Sequence, residues 1–135
     1  MITYNTEIIG YINVFETLTK THVKDCFFDD GELVFIIKEG EAGKAIGKHG
    51  ANIQKISKMF NKKIKIIEFN KDVLKFVNNL IYPANGNVYK SDEGTISIRA
   101  SDTRDRAILI GRDRKNLQNL QNIVSKYFNV IIKVE

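Results

Sequence analysis

The chain is poor in residues that staple or ligate. Its 135 residues include one cysteine and two histidines. Cys26 alone cannot close an internal disulfide, which fits a reducing compartment. With His22 and His49 it cannot assemble a clustered zinc site of the usual spacing. Long apolar runs are missing too. The longest, Leu33 to Ile37, has five residues, too few to span a bilayer. The opening Met1-Ile2-Thr3-Tyr4-Asn5-Thr6-Glu7 has neither a basic stretch nor an apolar stretch of leader length, so no secretory signal is expected. Proline occurs once, at Pro83, and no flexible Gly/Ser linker interrupts the chain. No two carboxylates stand in a context that suggests acid–base catalysis. Gly43 to Gly47 is one residue short of the Walker loop G-x-x-x-x-G-K-[ST], and His49 stands where Ser or Thr should be. These absences predict a cytoplasmic, non-enzymatic protein with no metal, cofactor, membrane or small-molecule substrate.

What is present is a core and an uneven charge. Hydrophobic residues make up 43% and charged residues 27%, ordinary for a globular chain. The net charge is +5, but its placement says more than its total. Up to Ala42 there are three basic and eight acidic residues; from Gly43 onward there are eighteen and eight. All five arginines, Arg99, Arg104, Arg106, Arg112 and Arg114, fall within sixteen positions. Such a patch is either the footprint of a polyanionic partner or a solvated basic face, and charge alone does not separate the two.

Periodicity organises the chain twice over. Helical spacing of Ile8, Ile9, Tyr11, Ile12, Phe15 and Leu18 predicts a helix over Asn5 to Thr19. Runs at Thr21 to Phe28 and Glu32 to Lys38, parted by Asp29-Asp30-Gly31, predict a hairpin. Glu41 to Phe60 is helical with a break at Gly47-Lys48-His49-Gly50, and Lys63 to Phe69 alternates as a strand. The order then returns: a helix over Asp72 to Tyr82, strands at Val88-Tyr89-Lys90 and Thr95 to Arg99, and a short helix over Asp102 to Ile110. The break Gly111-Arg112-Asp113-Arg114 follows, then a longer helix to about Phe128 and a strand over Val130 to Val134. Residue identities repeat as well. Ile46-Gly47-Lys48 and Asn52-Ile53-Gln54 match Ile110-Gly111-Arg112 and Asn116-Leu117-Gln118 at an offset of 64. Phe60, Ile64 and Ile66 match Phe128, Ile132 and Val134 at 68. Four added residues are about one helical turn, so the second helix is expected to be longer. The expected class is α+β, as two tandem domains over residues 1–70 and 71–135. Each is a helix-strand-strand-helix-helix-strand unit: a small three-stranded sheet with helices on one face.

The break in the first copy carries the chemistry. Gly47 and Gly50 remove side chains where another backbone could come close. A helix starting at Gly50 offers amides and a positive dipole end to an anion. Lys48 and Lys44 add charge, with Lys55 and Lys58 nearby. Ile46, Ile53 and Ile56 form an apolar wall for flat bases. His49 is read either as a stacking or phosphate-donating residue or as an exposed loop residue. His22 is read as structural and Cys26 as a core residue.

This run resembles the KH domain family, whose mark is an apolar residue, G-x-x-G, and a helix with spaced isoleucines. Ile46, Gly47, Gly50, Ile53 and Ile56 match that pattern, and the element order looks like the type II form of the fold. The resemblance implies a four-nucleotide groove for single-stranded RNA or DNA, with the loop on the backbone. From end to end the chain is similar to the short archaeal form of the NusA family of transcription factors, two fused KH domains. Phe15-Glu16-Thr17-Leu18-Thr19, Val34 to Gly50, Asn61 to Glu68 and Tyr82-Pro83-Ala84 carry that likeness. The bacterial forms have a polymerase-binding domain and an OB-type barrel for which this length has no room. The resemblance therefore implies binding of single-stranded RNA, in transcription elongation or termination, ahead of any contact with RNA polymerase or other transcription proteins. A protein–protein adaptor on a KH scaffold and a ribosome-assembly protein are the alternatives. The second break departs from the pattern: arginine replaces the second glycine, and Asp113 would repel a phosphate. Either Gly111, Arg112 and Arg114 bind RNA through guanidinium contacts, or the copy is degenerate and kept for packing.

Overall fold

The computed structural model describes residues 5–135; Met1 to Tyr4, part of the stretch from which no secretory signal is expected, lie outside the described residues. Contacts divide the chain into two compact units with the boundary between Asn70 and Lys71. Each unit is α+β with one three-stranded sheet, as the expected fold class requires.

In the first unit, α1 (Thr6–Thr19) begins where Asn5 Oδ1 accepts the Ile8 N–H at 2.8 Å, satisfying one amide that a helix start leaves open. Strands β1 (Val23–Asp29) and β2 (Glu32–Ile37) form an antiparallel hairpin. Its turn residues Asp30 and Gly31 both have positive φ, 49° and 81°, the two-residue geometry whose twist suits paired strands. β2 then pairs in parallel with β3 (Lys63–Glu68), giving the order β1-β2-β3. Parallel neighbours require a crossover, built here from α2 (Ala42–Ile46), a 3-10 turn (Lys48–Gly50) and α3 (Ala51–Phe60). The glycine-bearing break is therefore the helix–helix junction of that crossover.

Cys26, Leu33, Phe35, Ile37 and Ile64 of the sheet meet Ile8 and Phe15 of α1, Ala45 of α2 and Ile56 of α3 in one core. Phe15 stacks on Phe35 with ring centroids 4.1 Å apart. The run Leu33 to Ile37 is buried throughout, which is why it reads as unbroken apolar sequence instead of an alternation. The α1 stripe is narrower than its spacing predicts: Ile8 and Phe15 are buried but Ile9 stands 47% exposed. Carboxylates tie helices to the sheet. Glu16 accepts the Val23 N–H at 2.8 Å, and Glu68 accepts the Ala42 N–H at 2.9 Å, placing an anion at the start of α2. His22 is structural, as expected: its N–H and Nδ1 lie 2.8 and 3.1 Å from Glu41 Oε1.

The second unit repeats the plan. α4 (Val73–Ile81), β4 (Gly86–Asp92), β5 (Thr95–Ala100), α5 (Thr103–Ile110), a 3-10 turn (Arg112–Arg114), α6 (Lys115–Ser125) and β6 (Ile131–Val134) follow in order. Its sheet is β4-β5-β6, antiparallel then parallel. One expectation is corrected. The four extra residues do not lengthen the helix by a turn: α6 has 11 residues against 10 in α3. The other three extend the connection to the last strand, residues 126–130 in place of 61–62. In that longer connection Tyr127 and Phe128 pack on Phe76 of α4, with ring centroids at 5.8 and 6.0 Å.

Candidate nucleic-acid interface

The two breaks are the same turn. Gly47 (φ 80°, ψ 168°), His49 (55°, 28°), Gly50 (74°, 16°) and Ala51 (−59°, −42°) correspond to Gly111 (75°, 171°), Asp113 (53°, 30°), Arg114 (63°, 21°) and Lys115 (−62°, −43°). Hydrogen bonds repeat with equal fidelity. Gly47 N–H donates to Gly43 O at 2.9 Å and Gly50 N–H to Gly47 O at 3.1 Å; Gly111 donates to Ala107 O at 2.9 Å and Arg114 to Gly111 O at 3.2 Å. The Ala51 and Lys115 amides donate to Lys48 O and Arg112 O. Several amides expected to face an anion at the helix start are thus committed inside the turn. The residues at its exposed tip are Lys48 and His49, or Arg112 and Asp113.

The glycines have different duties from those their spacing suggests. A Cβ on Gly47 would lie 2.9 Å from both Cγ and the backbone N of Asn52, and one on Gly111 would lie 2.6 Å from Asn116 Cγ. The first glycine of each turn is therefore closed off by the chain's own asparagine rather than left open for another backbone. Those asparagines bond across the turn: Asn52 Nδ2 donates to Lys44 O at 3.0 Å and Asn116 Nδ2 to Ile108 O at 2.8 Å. A Cβ on Gly50 would make only an ordinary contact with Ile53 at 3.7 Å. Only its positive φ asks for glycine, and Arg114 shows that the turn forms without one. His49 and Asp113 are also left-handed, a backbone region that His and Asp enter more readily than most residues. That accounts for His49 without assigning it to a ligand.

The apolar wall is smaller than expected. Ile46 is 38% exposed, Ile53 is half-buried against the core, and Ile56 is fully buried. Ile56 is corrected to a packing residue, because the helical spacing that aligns it with Ile53 also turns it onto the sheet. Lys44 is exposed, but its Nζ lies 3.3 Å from Lys20 O at the end of α1, where a cation suits the helix dipole. Around the first turn the charge has one sign: Ala42 to Ile67 contains seven lysines and no acidic residue. Lys48, Lys55, Lys58 and Lys63 are exposed. In the second unit Arg104, Arg106, Arg112, Arg114 and Lys115 are exposed. Arg99 is engaged elsewhere, its Nε 3.3 Å from Glu135 Oε2. Among the described residues no three His, Cys, Asp or Glu side chains group as metal ligands, and no helix is long and apolar enough to cross a membrane.

In the sequence Asn52 and Asn116 stand out only as marks of the repeat. Their recurrence five places after the first glycine of each turn was the available signal.

An αββααβ unit with one antiparallel and one parallel strand pair, and a glycine turn joining its two crossover helices, is the KH architecture. The sequence profile of the KH domain family matches residues 9–98, and the chain belongs to that family. Along its length it is similar to the probable transcription termination protein NusA of Methanococcus vannielii, 35% identical over 133 residues that cover 96% of this chain and 76% of that one. The protein of the same name from Methanocaldococcus jannaschii is 30% identical over 128 residues, 93% of this chain and 70% of that one. Among solved structures, the crystal structure of APE1850 superposes with a TM-score of 0.69 at 29% identity, covering 97% of this chain and 99% of that chain.

Proposed function

We propose that this chain is a single-stranded RNA-binding factor of transcription elongation or termination, holding nascent RNA through its KH turns without catalysis. In this reading residues 1–70 and 71–135 are two KH domains, acting in the cytoplasm beside RNA polymerase or other transcription proteins. The names of the relatives support the process, and the family supports the ligand. The observation that carries the reading is the first turn itself: an exposed Lys48 on a fixed left-handed turn, between two helices whose only charged side chains are lysines. Lysine ammoniums draw a phosphate backbone to the turn, Gly50 keeps the approach open, and Ile46 with the edge of Ile53 offers apolar surface to a base. In the second domain Gly111 shapes the turn while Arg112 and Arg114 face the ligand.

Equilibrium binding of short single-stranded RNAs and matched DNAs across salt tests this. If about four phosphates are neutralised, log affinity falls against log salt with a slope near −3, at ~0.7 per phosphate. The double variant Lys48→Asp/His49→Asp abolishes that binding. Binding that survives the variant unchanged moves the working site to the arginines of the second turn. Absence of RNA binding in the wild type overturns the proposal.

A further inference from the structure

We propose that Asn52 and Asn116 are the positioning residues of the two turns, and that the last turn position, Gly50 in one and Arg114 in the other, sets how each turn meets a phosphate. This rests on the RNA-binding reading and goes beyond it, because both asparagines commit their amide to the turn itself.

The argument starts from what the two copies keep and what they change. Both keep the first glycine, and both keep an asparagine five residues later that fills the space a Cβ would take. Both asparagines donate Nδ2 to the carbonyl eight residues before them, on the helix that enters the turn. Each bond therefore staples the first turn of the exit helix to the end of the entry helix, spanning the break that would otherwise act as a hinge. With the staple in place, the dihedrals of corresponding turn residues agree within about ten degrees despite different side chains at the tip.

The second copy changes the position whose Cβ side is open. Arg114 takes up φ 63°, backbone that a non-glycine residue enters at a cost. The stapled turn holds it there, so its guanidinium leaves the turn from a fixed Cα. The first turn thus presents backbone and Lys48 at short range. The second reaches outward with Arg112 and Arg114, a longer and forked contact suited to phosphate oxygens.

The experiment measures affinity for a short single-stranded oligouridylate, thermal stability, and the amide NMR shifts of the turn residues, all on the full chain. Asn52→Asp retains the side-chain size and loses the donor; Asn52→Ala loses both. Both should lower affinity about tenfold, at conditions where the variant is fully folded, and displace the amide resonances of Lys48 and His49. Asn52→Gln should not rescue, since the added methylene carries the amide away from Lys44 O, which Asn52 Nδ2 reaches at 3.0 Å. At the other position, Arg114→Gly should flatten the salt slope by about 0.7, one phosphate contact. Folded Asn52 variants with wild-type affinity and unmoved Lys48 and His49 amides overturn the positioning role, and an unchanged slope in Arg114→Gly overturns the assignment of that position. Failure of the wild-type chain to bind the RNA overturns the functional reading instead, which keeps the two failures distinct.

Discussion

At the scale of single residues, the two glycines of the G-x-x-G pattern are unequal, and substitution will separate them. Gly47→Ala places a Cβ against Asn52 in addition to the positive φ, and it should cost ~2–3 kcal/mol, at the upper end of local backbone strain. Gly50→Ala meets only the dihedral cost, ~1 kcal/mol. Arg114→Gly removes the same cost and stabilises by ~0.5 kcal/mol, the balance of left-handed strain against glycine entropy. Urea denaturation of the three variants ranks them in that order, and an equal loss for Gly47→Ala and Gly50→Ala would show that Asn52 does not fill the site. The isoleucines divide in the same manner. Ile56→Ala empties a fully buried position and should cost ~2–5 kcal/mol with little effect on RNA affinity of the folded protein. Ile46→Ala should do the reverse.

At the scale of elements, a side chain from the crossover helix bridges the connection to the last strand in each unit. Ser57 Oγ donates to Lys62 O at 2.7 Å across the short connection. At the matching position, 64 residues on, Gln121 donates Nε2 to Val130 O at 3.0 Å and accepts the Ile132 N–H on Oε1 at 2.8 Å. The longer side chain spans the longer loop. Gln121→Ala should therefore cost more than Ser57→Ala, ~2 against ~1 kcal/mol, counting each bond to the connection or last strand as about 1 kcal/mol and leaving out the exposed bond from Gln121 Nε2 to Ser125 Oγ at 2.8 Å. Gln121→Ser should not rescue, and thermal melts of the three variants check the ordering. Glu41 offers a titration at the same scale. The bond from the His22 N–H holds its carboxyl below the ordinary 4.5. Its support for the start of β1 is complete above that value and fades as pH falls through the lowered one. An NMR titration of Glu41 that gives an ordinary midpoint would contradict the contact.

At the scale of the molecule, Cys26 reports on the first unit as a whole. Burial, followed by the neighbouring Asp25 carboxylate, pushes its thiol up to about 12 from 9.0. The thiolate is the nucleophile, so at neutral pH labelling must wait for opening of the core. The labelling rate should rise in Ile56→Ala and stay near wild type in Ile46→Ala. Because the folded-state value is raised, the stability tied to this thiol is fully present below pH 9.0 and is lost as pH climbs toward 12. Rapid labelling of the folded wild type at neutral pH would show an accessible thiol.

Element order, the repeat and the positions of both turns are legible in the residues alone, because periodicity, turn residues and glycine spacing are local and survive without a fold. The hairpin at Asp30-Gly31 and the helix start at Asn5 are of this kind, legible because their hydrogen bonds join residues a few places apart. Which side of α3 each isoleucine faces depends instead on packing against the sheet. Spacing alone aligns Ile53 with Ile56 but cannot say that the sheet covers one and spares part of the other. The structure likewise placed three of the four added residues in the connection after α6, where Tyr127 and Phe128 pack on Phe76, a contact about fifty residues away in sequence. It also turned Gly47 from an opening for a ligand into the seat of Asn52. That distinction is a matter of distances around one Cα, and no pattern of residue types contains it.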